Sequence, residues 1–535
     1  MAVRSRSLSV LFVCSFLVLG ACTDLSVDDP TPEPESDAGH DVDTSAPDDD
    51  ADTGYEQPPS DTTTPSEPAA LVDTGPDGFI LRGTVLAPDE IIEDGEVVIE
   101  SELIVCVDVD CDEITEGKDY TIIETDGVIS PGLIDAHNHL PYNFLPPWFP
   151  VSDTFFNNRY EWANEAAYRD HIAPYADNRM SGTHYCPAAK WGELRSLVHA
   201  TTTIQGQSFQ QRCVMGAVRN ADHYHDLQHN HLRTTIDSSL NIDADQAQNY
   251  IDSFENSDSP TTRLAVHMAE GVSGDGIEDE LDAFAGIGSE TGHPGTSLLD
   301  YGAALLIHAV GITSEQLETI SMTDSYIVWS PSSNFHLYGM DVTAPIEEIL
   351  DYGITTALGP DWTISGAFDM LEEMRIALDY AGRQDIDIVS PEKIWKMATA
   401  NGAEALGLDE FIGRLIPGHH ADIAIFGRHG QDPYRAVIDS QAEDIELVFI
   451  DGEVYFGDQH LLESARNDYC EAFDACGAAK FLCGKDSPTA GDRRDEKVSD
   501  TRAQLIEILE GRDDAPEEEQ YGRGDELLEL VICGG

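Results

Sequence analysis

Basic residues are in short supply. The 535-residue chain has 29 Lys and Arg against 101 Asp and Glu, a formal net charge of −72. That sign repels phosphate backbones and anionic head groups, which argues against nucleic acid as a partner. Lysine is scarcest, with seven in the whole chain. Long apolar runs are also missing: no stretch reaches the ~18 unbroken apolar residues that a spanning helix needs. No fixed-period repeat appears. A hydrophobic fraction of 41 % still supplies a large core and excludes a wholly disordered chain.

The N-terminus predicts export. Arg4 and Arg6 precede a short apolar segment over residues 8–18, and Leu19-Gly20-Ala21-Cys22 follows at once. The segment is too short to span a membrane and reads as a secretory signal. The small residues before Cys22 resemble a lipobox, so residues 1–22 are expected to be a lipoprotein signal ending at a lipidated Cys22. The expected location is the cell envelope, on the periplasmic or surface side of a bacterial membrane, with membrane contact only through the anchor. Residues 23–77 hold 17 acidic residues and no Lys or Arg. Such a segment cannot offset its ordering entropy by burial and is expected to be a disordered tether. Beyond it, 458 residues carry −57, which suggests a salty medium that screens self-repulsion.

Eight cysteines lie beyond Cys22: Cys106, Cys111, Cys186, Cys213, Cys470, Cys476, Cys483 and Cys533. In an oxidising compartment this even number permits disulfides. Cys106 and Cys111 could close a small loop, and the last four could staple the tail over 458–535, to which no role is assigned.

The body alternates β-rich and helical patterns. Short β runs over 78–130 find counterparts at 421–426 and 445–452, which suggests a composite β-sandwich domain from 78–130 and 410–457. Between them, strand patterns at 201–205, 264–267, 303–308, 326–330 and 354–358 alternate with helical patterns at 344–352, 368–380 and 391–406. That alternation is the signature of βα units, here over 131–409. Polar chemistry stands at the ends of the strands: His137 and His139, Gln205 and Gln207, His267 with Glu270, His308, Asn334 and Asp361. In a barrel of βα units those ends share one mouth. His137 and His139, two apart on an extended segment, project the same way, and neutral imidazole is a common ligand for zinc or iron. A second cluster, His223, His225, His229 and His231, lacks a preceding apolar strand and reads as a polar loop.

Several motifs occur in a fixed order: Pro131-Gly132-Leu133-Ile134-Asp135-Ala136-His137-Asn138-His139, His267-Met268-Ala269-Glu270, His308, Trp329-Ser330-Pro331-Ser332-Ser333-Asn334 and Leu358-Gly359-Pro360-Asp361. With residues 398–407 and 412–422, they resemble the amidohydrolase superfamily, in its cytosine deaminase and chlorohydrolase branch, over about 78–457. The resemblance implies a TIM-type (β/α)8 barrel and one divalent ion, zinc ahead of iron, on His137, His139, His267 and Asp361. It implies catalytic roles for Glu270 as proton relay, for Asp361 as acceptor of the water proton and for His308 as the group polarising the reacting atom. The implied reaction is hydrolysis of a carbon–nitrogen bond, not a peptide bond, in a small cyclic amide, amidine or nucleobase-like compound. Binuclear members need a lysine at strand four, and between His139 and Asp361 the only lysine is Lys190, before strand two; one ion is therefore expected. Ala309 replaces the usual Cys after His308, Pro360 replaces Thr, and Trp362 follows the aspartate. These changes bear on the pocket wall, where Gln205, Gln207, Asn334 and Trp362 are candidates for substrate binding. Triazine-type dechlorination and a non-catalytic binding protein on the same fold are the alternatives, and a homo-oligomer is compatible with the sequence.

Overall fold

In the computed structural model, the described residues are 63–148, 155–173, 185–206, 217–222, 227, 232–235, 238–258, 260–288, 291–484, 497–510 and 527–533. Cys22, most of the expected tether, Gln207, Cys213 and the histidines at 223–231 lie outside them.

Eight short strands run parallel in two arcs. The first joins β1 (Leu133–Asp135), β2 (Thr201–Ile204) and β3 (Arg219–Asn220). The second joins β4 (Leu232–Thr235), β5 (Arg263–Met268), β6 (Ala304–His308), β7 (Tyr326–Trp329) and β8 (Thr356–Leu358) in that order. The apolar runs Leu264-Ala265-Val266 and Leu305-Leu306-Ile307 are buried throughout, as expected for parallel strands covered on both faces. The arcs meet between β1 and β8, where Ala136 N–H donates to Leu358 O (3.0 Å) and Asp361 N–H to His137 O (3.1 Å). One core cluster takes Ile134 and Ala136 from the first arc and Ala265, Leu305, Ile307, Val328 and Ala357 from the second.

The helix expected over 391–406 is two, Pro391–Met397 and Ala400–Leu406, broken at Thr399. The break has a purpose: Ala398 O accepts from Ile134 N–H at 2.7 Å, which ties the helix pair to β1. Ala403, Ala405 and Leu406 then pack into the shared core cluster.

The flanking segments form one mixed sheet of ten strands, nine hydrogen-bonded along one path and Ala70–Asp73 pairing off it with Thr121–Pro131. Its strands come from both ends of the chain, Ala70–Asp73 through Thr121–Pro131 and Ile423–Phe426 through Ala478–Cys483. Two expected boundaries need correction. The tether cannot extend to residue 77, because Thr64–Pro65 pairs with Arg428–His429 and Ala70–Asp73 pairs with Thr121–Pro131. Ala69 is buried and its N–H donates to the Glu446 carboxylate at 2.8 Å. The tail is likewise integral: Cys470–Ala475 and Ala478–Cys483 extend the sheet as a hairpin. Disulfides Cys470–Cys483 and Cys476–Cys533 pin the tail, and Cys106–Cys111 closes the small loop. Leu528 O accepts from Trp191 Nε1 (2.8 Å) and Arg195 (3.1 Å), which docks the last described segment on the helix Tyr185–Val198. Among the described residues no helix is long and apolar enough to cross a membrane.

Candidate metal centre

Gly132 lets the chain pass from the mixed sheet into β1, since a Cβ there would stand 2.3 Å from Thr202 Cγ2. At the end of β1, Asp135 accepts from His137 N–H (3.1 Å) and Asn138 Nδ2 (2.7 Å), which bends the chain and sets His137 and His139. Gly359 lies so close beneath that a Cβ would be 2.6 Å from His137 N. Ala269, His308 and Asp361, at or just beyond the ends of β5, β6 and β8, hold left-handed φ of 47°, 72° and 70°. For residues with a Cβ such backbone is costly, and it persists where surrounding structure imposes it.

The expected ligands converge. Asp361 Oδ1 lies 3.2 Å from His137 Nε2 and 3.3 Å from His139 Nε2, and His139 Nε2 lies 3.3 Å from His267 Nε2. Histidine and carboxylate ligand atoms in this cluster, including those of His308 and Glu270, form three overlapping groups within 4.8 Å. His137 Nε2 and Asp361 Oδ1 are buried without a hydrogen-bond partner, a costly state that a cation removes. His137 Nδ1 lies 3.2 Å from Gln205 Oε1, whose amide nitrogen donates to Thr234 and Asp222. The imidazole proton is thus held on Nδ1, and the Nε2 lone pair points to the cluster. Burial pushes His139 down to about 4 and His308 to about 3, so both are neutral at physiological pH. Burial pulls the Asp361 carboxyl up, but the surrounding imidazoles of His137, His139 and His308 hold it well below the usual range. Ser333 Oγ donates to its Oδ2 at 2.7 Å. Three imidazoles and one carboxylate fit a single zinc-like divalent ion.

Glu270 stands beside the ligands with Oε2 3.7 Å from His308 Nε2. Burial pushes its carboxyl up to about 7, against the opposing pull of Arg159. A carboxyl poised there can take and return a proton near neutral pH.

Gln205 and Asn334 are fully buried, and each lies within hydrogen-bond distance of an imidazole of the cluster. Gln205 orients His137, as above. Asn334 Oδ1 lies 3.1 Å from His308 Nδ1 while its Nδ2 donates to Thr343 Oγ1 at 3.1 Å. The other ring nitrogen, His308 Nε2, faces Glu270 Oε2 at 3.7 Å. Trp362 packs on His139 with ring centroids 5.1 Å apart and extends to Tyr142, Trp162 and Tyr168. The sequence reading missed Ser333, which lies inside a quoted motif, and the Trp162 and Tyr168 rings, which lie in an insertion after β1 and carry no motif.

The fold and this cluster define a hydrolytic enzyme with a site for one divalent ion. A sequence profile described as Amidohydrolase family matches residues 254–455. A 5-methylthioadenosine/S-adenosylhomocysteine deaminase of Haloarcula marismortui is 26 % identical over 380 residues, covering 65 % of this chain and 83 % of that protein. A 5'-deoxyadenosine deaminase of Methanothermobacter thermautotrophicus is 25 % identical over 431 residues, covering 73 % and 94 %. Among solved structures, the zinc-complexed atrazine chlorohydrolase of Arthrobacter aurescens TC1 aligns with a TM-score of 0.53 at 20 % identity, covering 70 % of this chain and 95 % of its own. The Escherichia coli guanine deaminase aligns at 0.54 and 16 %, covering 70 % and 98 %. The chain thus resembles the amidohydrolase family over residues 254–455 and shares its fold with these solved structures.

Proposed function

We propose that this enzyme removes the exocyclic amino group of a purine, with an adenine nucleoside as substrate class, on a closed (β/α)8 barrel. The likeness to deaminases acting on methylthioadenosine and deoxyadenosine supports the substrate class. The β1–β8 hydrogen bonds and the core cluster shared by both arcs support closure. One observation carries the reaction: buried His137 Nε2 and Asp361 Oδ1, neither hydrogen-bonded, lie 3.2 Å apart in a cluster that also takes in Glu270. His137, His139, His267 and Asp361 would hold the ion. When bound, it supplies Lewis acidity that lowers the pKa of water and polarises the attacked centre.

The chain's own residues manage the protons. Asp361 accepts one proton of the attacking water as the C–O bond forms. Glu270 gives its proton to the ring nitrogen next to the amino-bearing carbon. The water proton then reaches the amine, the C–N bond breaks, and ammonia leaves a ring carrying C=O and N–H. His308 Nε2 orients the water. Glu270 regains its proton from the second water hydrogen. The aromatic group around Trp362 offers a stacking surface for a planar heterocycle.

We further propose export through residues 1–22 with lipidation at Cys22; Cys22→Ser should move the protein out of the membrane fraction. The substrate reading is tested by incubating zinc-loaded protein with 5'-methylthioadenosine, S-adenosylhomocysteine, 5'-deoxyadenosine, guanine and atrazine. Ammonia from the adenine nucleosides supports it; chloride from atrazine alone replaces it with dechlorination.

A further inference from the structure

The strand-seven helix Pro331–Tyr338 ends in a tyrosine that no motif marks. Tyr338 is 4 % exposed, and its hydroxyl donates to Glu270 Oε1 at 2.6 Å. The same oxygen accepts from Trp162 Nε1 at 3.0 Å. Trp162 belongs to the insertion after β1, in the helix Arg159–Trp162, and its ring lies 5.6 Å from that of Trp362. Arg159 N–H donates to Glu270 O at 3.0 Å, so the same short helix fixes both the backbone and, through Tyr338, the carboxylate of residue 270. The hydrogen bonds run one way, from indole to phenol to carboxylate. They occupy Oε1 and leave Oε2 as the oxygen on the His308 side.

We propose that Tyr338 is a positioning residue for the proton relay: with Trp162 behind it, it pins Glu270 Oε1 so that Oε2 alone carries the proton. This rests on the relay role given to Glu270 above. Tyr338 keeps its own proton throughout, since burial and the adjoining carboxylate raise its pKa well above the ordinary phenol value. The donated bond favours the ionised carboxylate, as does Arg159, while Asp361 disfavours it, and His308 is neutral.

The test uses full-length zinc-loaded protein labelled with 13C at glutamate carboxyls, the Glu270 signal being the one lost in Glu270→Gln. Tyr338→Phe should raise the Glu270 titration midpoint by about one pH unit, because one charge-assisted hydrogen bond is lost. Zinc content should be unchanged. Turnover of any substrate found should fall at least tenfold in kcat with KM within about twofold. Trp162→Phe, which spares the phenol, should shift the midpoint in the same direction by less; it also serves if Tyr338→Phe does not fold. An unmoved midpoint in both variants overturns the proposal. A moved midpoint with no turnover of the purine panel by wild type overturns the substrate reading and leaves the positioning role standing.

Discussion

Glu446 offers a test of the fold away from the site. It lies on the strand Ile445–Ile450, 4 % exposed, with Oε1 accepting from Ala69 N–H (2.8 Å) and Oε2 from Thr125 Oγ1 (2.6 Å). Burial pushes its pKa from 4.5 up to about 7, despite these two donors and Lys480. A carboxyl whose pKa is raised by folding favours the folded state only while protonated. Its contribution is fully present below pH ~4.5 and is lost as pH rises through ~7. The shift corresponds to roughly 3 kcal/mol at ~1.4 kcal/mol per unit, an upper bound. Glu446→Gln mimics the protonated acid, its carbonyl facing Ala69 and its amide facing Thr125. The variant should match wild type at pH 4.5 and exceed it by up to ~3 kcal/mol at pH 8. At ~2 cal/mol/K per residue this is about 3 °C in Tm, readable by scanning calorimetry. The difference between variant and wild type across the two pH values isolates Glu446 from every other acid. A gap that is constant or that narrows at pH 8 refutes the reasoning.

Other substitutions test the site. Gly359→Ala should drive a Cβ into the His137 backbone, cost about 2–4 kcal/mol and lower bound zinc, measured by calorimetry and elemental analysis. Ser333→Ala removes the donor to Asp361 Oδ2 and should weaken zinc affinity about 10–100-fold, measured by chelator competition, with little change in Tm. The −72 charge predicts loss of folded structure when salt is lowered from molar to millimolar, followed by circular dichroism; stability that rises at low salt contradicts it.

Much of the site was legible because barrel-type chemistry stands at strand ends. His137, His139, His267, His308 and Asp361 each follow an apolar run, so strand patterns alone grouped residues 224 positions apart. The strands β3 and β4 were not legible, being two and four residues long and rich in Arg, Asn and Thr. Nor was the docking of the tail, whose strands alternate weakly and depend on disulfides for their place. Gln205 and Asn334 were legible as strand-end polar residues, but whether an amide turns to substrate or to an imidazole depends on side-chain partners that spacing does not encode. Tyr338 and Trp162 form a pair only across 176 positions.

The most direct test of the central claim is a titration of metal-free protein with zinc while ammonia release from 5'-methylthioadenosine is followed. Activity is predicted to be absent at the start, to rise linearly and to saturate at about one ion per chain. Full activity before zinc is added, or a requirement for two ions per chain, would contradict a single-ion hydrolase built on His137, His139, His267 and Asp361.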